Sequence, residues 1–139
     1  GLKKNIEIFS EHLNKLKIKN IKLNVSAPFH CSLMKKATEN IKEKILNLNL
    51  KDIQNPIVTN FKAEPSISGL EIKNLLVSQI EGKVRWFESV EFMIKKGTKN
   101  FIEIGPGKVL CGLIKRINKN ANIKSINSEK DIRELSSYV

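Results

Sequence analysis

Phe101-Ile102-Glu103-Ile104-Gly105-Pro106-Gly107-Lys108-Val109-Leu110 changes its period halfway along. Phe101 to Ile104 read as a short strand, and Gly105-Pro106-Gly107 turns the chain. Beyond the turn Val109, Leu110, Leu113, Ile114 and Ile117 recur at three- and four-residue spacing, the signature of one helix face. Ile123 to Asn127 then supplies another short strand. A strand that runs straight into a helix and is followed by a second strand predicts an α/β fold with at least partly parallel pairing.

Working back from this stretch, Trp86, Val90, Met93 and Ile94 pattern a helix ended by Gly97 in the C′ role. Ser68 and Glu71 have the spacing of a capping box and start an earlier helix with Ile72, Leu75, Leu76 and Ile80 apolar, interrupted at Gly82. Pro65 to Gly69 reads as loop, Ile57 to Phe61 as a short strand after the Asn55-Pro56 break. Leu33, Ala37, Ile41, Ile45 and Leu48 mark a helix buried along one stripe. Ile21, Leu23 and Val25 alternate as a strand does, and Pro28 stops its continuation. Leu2, Ile6, Phe9, Leu13 and Leu16 form the first helix face, beginning so close to Gly1 that the start is expected to be a cut through a longer protein. At the other end Ser128 and Asp131 cap a terminal helix with Ile132 and Leu135.

The formal charge is +11, which suits either a phosphate backbone or an acidic protein. Arginine occurs only at Arg85, Arg116 and Arg133, however, and the lysines are scattered through every segment. With one Trp and one Tyr there is no evident platform for stacking bases. A nucleic-acid partner is therefore not expected. No apolar run approaches the ~20 residues of a membrane span, so no membrane partner is expected either. Cys31 and Cys111 stand far apart and neither belongs to a CxxC pair, which argues against a zinc site or a disulfide scaffold and suits the cytoplasm. No metal or cofactor is expected.

His30 is the first candidate for chemistry. It follows the expected strand and precedes a helix, where α/β folds place sites, and a neutral imidazole can take a proton from a hydroxyl. The residues alone leave a second reading open, an inert hydrogen-bonded histidine. His12 lies on an exposed helix face. Phe29 reads equally as a core aromatic. The N–H groups after Gly105-Pro106-Gly107, with Lys108 nearby, have the form of an anion site, but close packing of helix on strand accounts for the glycines more simply. Cys31 is read as structural, because adjacent side chains diverge.

Val25-Ser26-Ala27-Pro28-Phe29-His30-Cys31-Ser32-Leu33-Met34 resembles the segment around the catalytic histidine of malonyl-CoA:acyl carrier protein transacylases. Glu103-Ile104-Gly105-Pro106-Gly107-Lys108-Val109-Leu110 is similar to that family's Glu-x-Gly-Pro-Gly-x-x-Leu block. Gln79, Val84-Arg85-Trp86 and Ser89-Val90-Glu91 fall between them in the family's order. The resemblance implies an α/β hydrolase-like acyltransferase body with a small ferredoxin-like subdomain, of which this chain holds the C-terminal part. Residues 1–25 would belong to the incomplete small subdomain and 26–139 to the large one.

The same resemblance implies transfer of malonyl from malonyl-CoA to the phosphopantetheine thiol of acyl carrier protein, through an acyl-serine, in fatty acid biosynthesis. His30 matches the base, and Gln79 the position whose backbone carbonyl holds the other ring nitrogen. Phe29 matches a position associated with malonyl over methylmalonyl. The family's nucleophile lies in Gly-His-Ser-Leu-Gly, and no serine of this chain has that setting. The chain alone is therefore expected to be inactive. The competing expectation is a non-enzymatic module that uses its lysines to bind acidic acyl carrier protein or nucleic acid.

Overall fold

Backbone pairing between strands is confined to two small sheets in the computed structural model, which describes residues 1–137. The chain divides into two compact units, residues 1–85 and 86–139. In the first lie helices α1 (Lys3–Lys15) and α2 (Lys35–Leu46), strands β1 (Ile57–Val58) and β2 (Pro65–Ser66), and helix α3 (Gly69–Glu81). The second runs α4 (Trp86–Lys95), β3 (Asn100–Ile104), α5 (Val109–Ile117), β4 (Asn122–Ile126) and α6 (Glu129–Arg133). No helix among the described residues is long and apolar enough to cross a membrane.

In the first unit α3 is the fixed element. The Ser68 hydroxyl accepts the Glu71 N–H at 3.4 Å, and Asp52 Oδ1 accepts the Gly69 N–H at 2.9 Å. Gly69 is required, because a Cβ there would overlap the Leu50 carbonyl. Glu71 does not close the expected capping box. Its carboxylate instead binds the Lys62 ammonium at 2.7 Å and the Ser66 hydroxyl, tying α3 to the β1–β2 hairpin. Ile72 and Leu75 are buried, and α2 packs along α3. Lys73 Nζ donates to the Leu46 and Leu48 carbonyls at 2.9 and 3.1 Å, satisfying the end of α2.

Three expectations for this unit are corrected. Pro65–Ser66 is not loop but β2, antiparallel to β1. The helix after His30 begins as a 3-10 turn over Ser32–Met34, and none of the α2 residues is buried. The alternating stretch 21–25 is not a strand. Among the described residues it belongs to neither sheet, and the Val25 N–H donates to the Leu23 carbonyl at 3.1 Å. Ile21 and Leu23 are left 76% and 74% exposed and, with Leu2, Ile6, Val25 and Leu33, line a hollow of about 720 Å³.

The second unit follows the sequence closely. β3 and β4 pair in parallel, with Phe101 opposite Ile123 and Ile104 opposite Ile126. Val90, fully buried, packs with Phe101, Ile114 and Ala121, and Trp86, Met93, Ile94, Ile117 and Ile123 surround them. α4 ends at Gly97, φ +95°, with the Gly97 N–H on Ile94 O at 2.9 Å and the Thr98 N–H on Met93 O at 3.0 Å. That pair of bonds is a Schellman motif. Ser128 and Asp131 form the reciprocal capping box of α6.

The glycines of the β3–α5 turn do not serve close packing, since a Cβ on Gly105 or Gly107 would meet nothing within 4 Å. They are needed for backbone at φ +135° and +100°. The α5 N-terminus does hold an anion, but it is the chain's own. Glu103 accepts the Leu110 N–H at 3.1 Å and the Cys111 N–H at 2.8 Å. The Cys111 thiol, then the N–H groups of Cys111 and Leu110, hold the Glu103 carboxyl below its ordinary 4.5.

Two outcomes follow from these contacts. A carboxylate with a depressed pKa stabilises the fold above its unfolded value and loses that contribution as pH falls through the lower folded value. Glu103→Gln should thus lower Tm at pH 7, with the gap narrowing as pH drops below 4.5. A gap that stays constant down the titration would contradict the cap. The isolated chain should also unfold broadly and at modest temperature, because each large apolar side chain left exposed forgoes ~1.5–3 kcal/mol of burial. Near-ultraviolet circular dichroism at Trp86 reads this, and a sharp transition above ~65 °C would contradict it.

Candidate active site

The last four carbonyls of a helix have no partner within it, and α3 uses three of them at one place. Ser78 O accepts the Gly82 N–H at 2.9 Å. Gln79 O lies 2.9 Å from His30 Nδ1, and Ile80 O accepts the His30 backbone N–H at 3.2 Å. Two successive carbonyls therefore grip one residue, by its ring and by its backbone.

The grip holds His30 in a backbone conformation that it would not choose. Its φ is +60°, in the left-handed region, at a cost of about 1–2 kcal/mol for a residue with a Cβ. His30 is thus set in a turn rather than at the end of a strand, and the helix end, not a sheet, aims it. Pro28 restricts the chain just before, and the Cys31 thiol donates to the Pro28 carbonyl at 3.1 Å. Cys31 is in this way turned back onto the loop.

A carbonyl oxygen can only accept, so the bond to Gln79 requires the proton on Nδ1. In the neutral ring Nε2 then carries the lone pair. His30 is exposed, which leaves Nε2 open to an incoming hydroxyl or thiol. Such an arrangement can serve as an oriented general base, with a neutral carbonyl where a triad would place a carboxylate.

Phe29 is 55% exposed, so it is not a core aromatic. Gln79 contributes through its main chain. Arg85 donates its N–H to Asn60 O and its Nη1 to Lys62 O, both at 2.8 Å, and so holds the turn of the β1–β2 hairpin. His12 is exposed on α1. The described residues contain no group of three or more His, Cys, Asp or Glu placed to hold a metal ion. Sequence reasoning missed the Ile80 carbonyl and the left-handed turn at His30. A backbone acceptor carries no side-chain signature, and nothing but Pro28 hinted at the turn.

No protein-family model matches the chain. It is 38% identical over 133 residues to the malonyl CoA-acyl carrier protein transacylase of Bacillus subtilis (strain 168), covering 95% of this chain and 42% of that protein. The acyl-carrier-protein S-malonyltransferase of Bartonella henselae superposes with a TM-score of 0.89 at 34% identity, over 97% of this chain and 43% of that one. The PlMCAT:AntF complex, a type II PKS acyl-carrier protein with its malonyl-transacylase, matches with a TM-score of 0.91 at 31% identity, over 100% and 45%. The chain is a homologue of the malonyl-CoA:acyl carrier protein transacylases and spans about two fifths of the length of the relatives it matches.

Proposed function

We propose that this chain supplies the general base of malonyl transfer from malonyl-CoA to acyl carrier protein. The observation that carries this reading is the bond from His30 Nδ1–H to the Gln79 carbonyl, 2.9 Å long. It leaves Nε2 free to accept a proton from a nucleophile. The 139 residues would form the C-terminal part of the parent fold, with 1–25 in its small ferredoxin-like subdomain and 26–139 in its α/β hydrolase-like body.

In the proposed cycle a serine outside the 139 residues gives its hydroxyl proton to His30 Nε2 as its oxygen attacks the malonyl thioester. The tetrahedral centre collapses, and the coenzyme A sulfur leaves with that proton. The pantetheine thiol of acyl carrier protein then gives its own proton to Nε2, attacks the malonyl-serine ester, and the proton returns to the serine oxygen. His30 ends as it began. Through both halves Gln79 O keeps its bond to Nδ1–H, since the cationic ring still donates there. The +11 charge suits an acidic carrier protein. Phe29, exposed and next to the base, would crowd an α-methyl branch on the substrate.

The chain alone should show no malonyl transfer, because no serine in it has the Gly-His-Ser-Leu-Gly setting. In a fusion where it replaces the matching 42% of the B. subtilis relative, transfer should return. In that fusion His30→Ala should cut kcat by 10²–10⁴-fold, roughly the worth of a general base. A mutant that keeps more than about a tenth of the rate would remove His30 from the chemistry.

Selectivity is tested in the same fusion by Phe29→Ser. The ratio of kcat/KM for methylmalonyl over malonyl should rise by roughly 10- to 200-fold, the usual worth of one methylene in a pocket. An unchanged ratio would leave Phe29 without a role in substrate choice.

A further inference from the structure

The chain leaves α3 at Glu81 through Gly82, a position with no room for a side chain. A Cβ there would overlap Cδ2 and Cε2 of the Phe61 ring and stand 2.8 Å from the Ser78 carbonyl. Phe61 lies in the turn between β1 and β2. That turn is itself held from the far side of Gly82. The Arg85 N–H is bonded to Asn60 O and Arg85 Nη1 to Lys62 O, each at 2.8 Å. The Ala63 N–H closes onto Thr59 O at 2.9 Å, with Ala63 at φ +58°. Residues 59–63 and 78–85 therefore form a closed clasp, ring against glycine at one point and guanidinium against carbonyl at another.

The clasp encloses the two carbonyls that matter for His30. Ser78, whose carbonyl bounds the Gly82 site, and Gly82, whose N–H it receives, flank Gln79 and Ile80 in the chain. A shift of this last turn moves the acceptor of the 2.9 Å bond to Nδ1 together with the acceptor of the His30 backbone N–H. We propose that Phe61, Gly82 and Arg85 are positioning residues. By locking the C-terminal turn of α3, they set the Nδ1–H tautomer of His30 and leave Nε2 as its basic nitrogen. The consequence for catalysis rests on the function proposed above, but the consequence for the tautomer does not.

The test reads the tautomer directly, by ¹⁵N shifts of the imidazole nitrogens in the labelled 139-residue chain. The His12→Gln variant assigns the second histidine. Wild type should show Nδ1 protonated in neutral His30. Gly82→Ala should move His30 toward the Nε2–H form that free histidine favours, and adding Phe61→Ala should partly restore it by clearing the ring from the new methyl. Arg85→Gln, which keeps the backbone bond and loses the Nη1 contact, should shift the tautomer in the same direction by less. It carries the test if Gly82→Ala does not fold. In the active fusion these variants should lower kcat with KM little changed.

A wild-type Nδ1–H signature that persists in Gly82→Ala and Arg85→Gln would overturn the clasp, whatever the activity of His30→Ala. A shifted tautomer with full transfer activity would keep the clasp and remove the general-base reading. The two ideas thus fail separately.

Discussion

The bond between His30 Nδ1–H and the Gln79 carbonyl joins residues 49 apart in sequence, and the candidate site exists only while both ends stay put. A neutral carbonyl gives less electrostatic hold on an imidazole than a carboxylate does. Orientation must then come from rigidity, and the contacts around α3 are arranged to supply it. Asp52 and Ser68 fix its first turn, Ile72 and Leu75 seat its middle, and Glu71 joins it to the hairpin through Lys62 and Ser66. The last turn is closed by Gly82 against Phe61. Burial fixes the helix, and the helix fixes His30.

The two units differ in how they meet their packing needs. Residues 86–139 contain a small closed core around Val90, bounded by a parallel strand pair and two helices. The α5 N-terminus is already filled by Glu103. An internal carboxylate there satisfies N–H groups that would otherwise seek a ligand. The Gly-Pro-Gly turn is in this way a structural joint. Residues 1–85 are less complete in apolar contact: α1 has no buried residue, and Ile21, Leu23 and Val25 stand in the open. The candidate base sits in this unit, in a turn gripped by the end of α3.

What the sequence made legible follows from the range of the interactions involved. Local signals carried far: Gly97 did end α4, Ser128 and Asp131 did cap α6, and the strand–turn–helix at 101–117 paired in parallel with the strand after it. Failures came where a partner had to be found. Ile21, Leu23 and Val25 have a strand's alternation but no strand beside them, and period alone cannot supply one. Glu71 had the spacing of a capping box and was taken by Lys62, nine residues earlier in the chain. The stretch around His30 was readable as a family motif, and Gln79 as a position. The resemblance also implied the Gln79 carbonyl on the ring, but the Ile80 carbonyl and the left-handed φ of His30 were not readable, because main-chain features carry no side-chain signature.

The end of α3 holds His30 by ring and backbone at once. A crystal structure of the active fusion at a resolution that fixes the imidazole plane tests it most directly. His30 Nδ1 should lie within hydrogen-bond distance of Gln79 O, the His30 N–H on Ile80 O, and Nε2 toward the proposed nucleophilic serine. An imidazole turned away from α3, or one whose Nδ1 is bonded to a carboxylate instead, would contradict it.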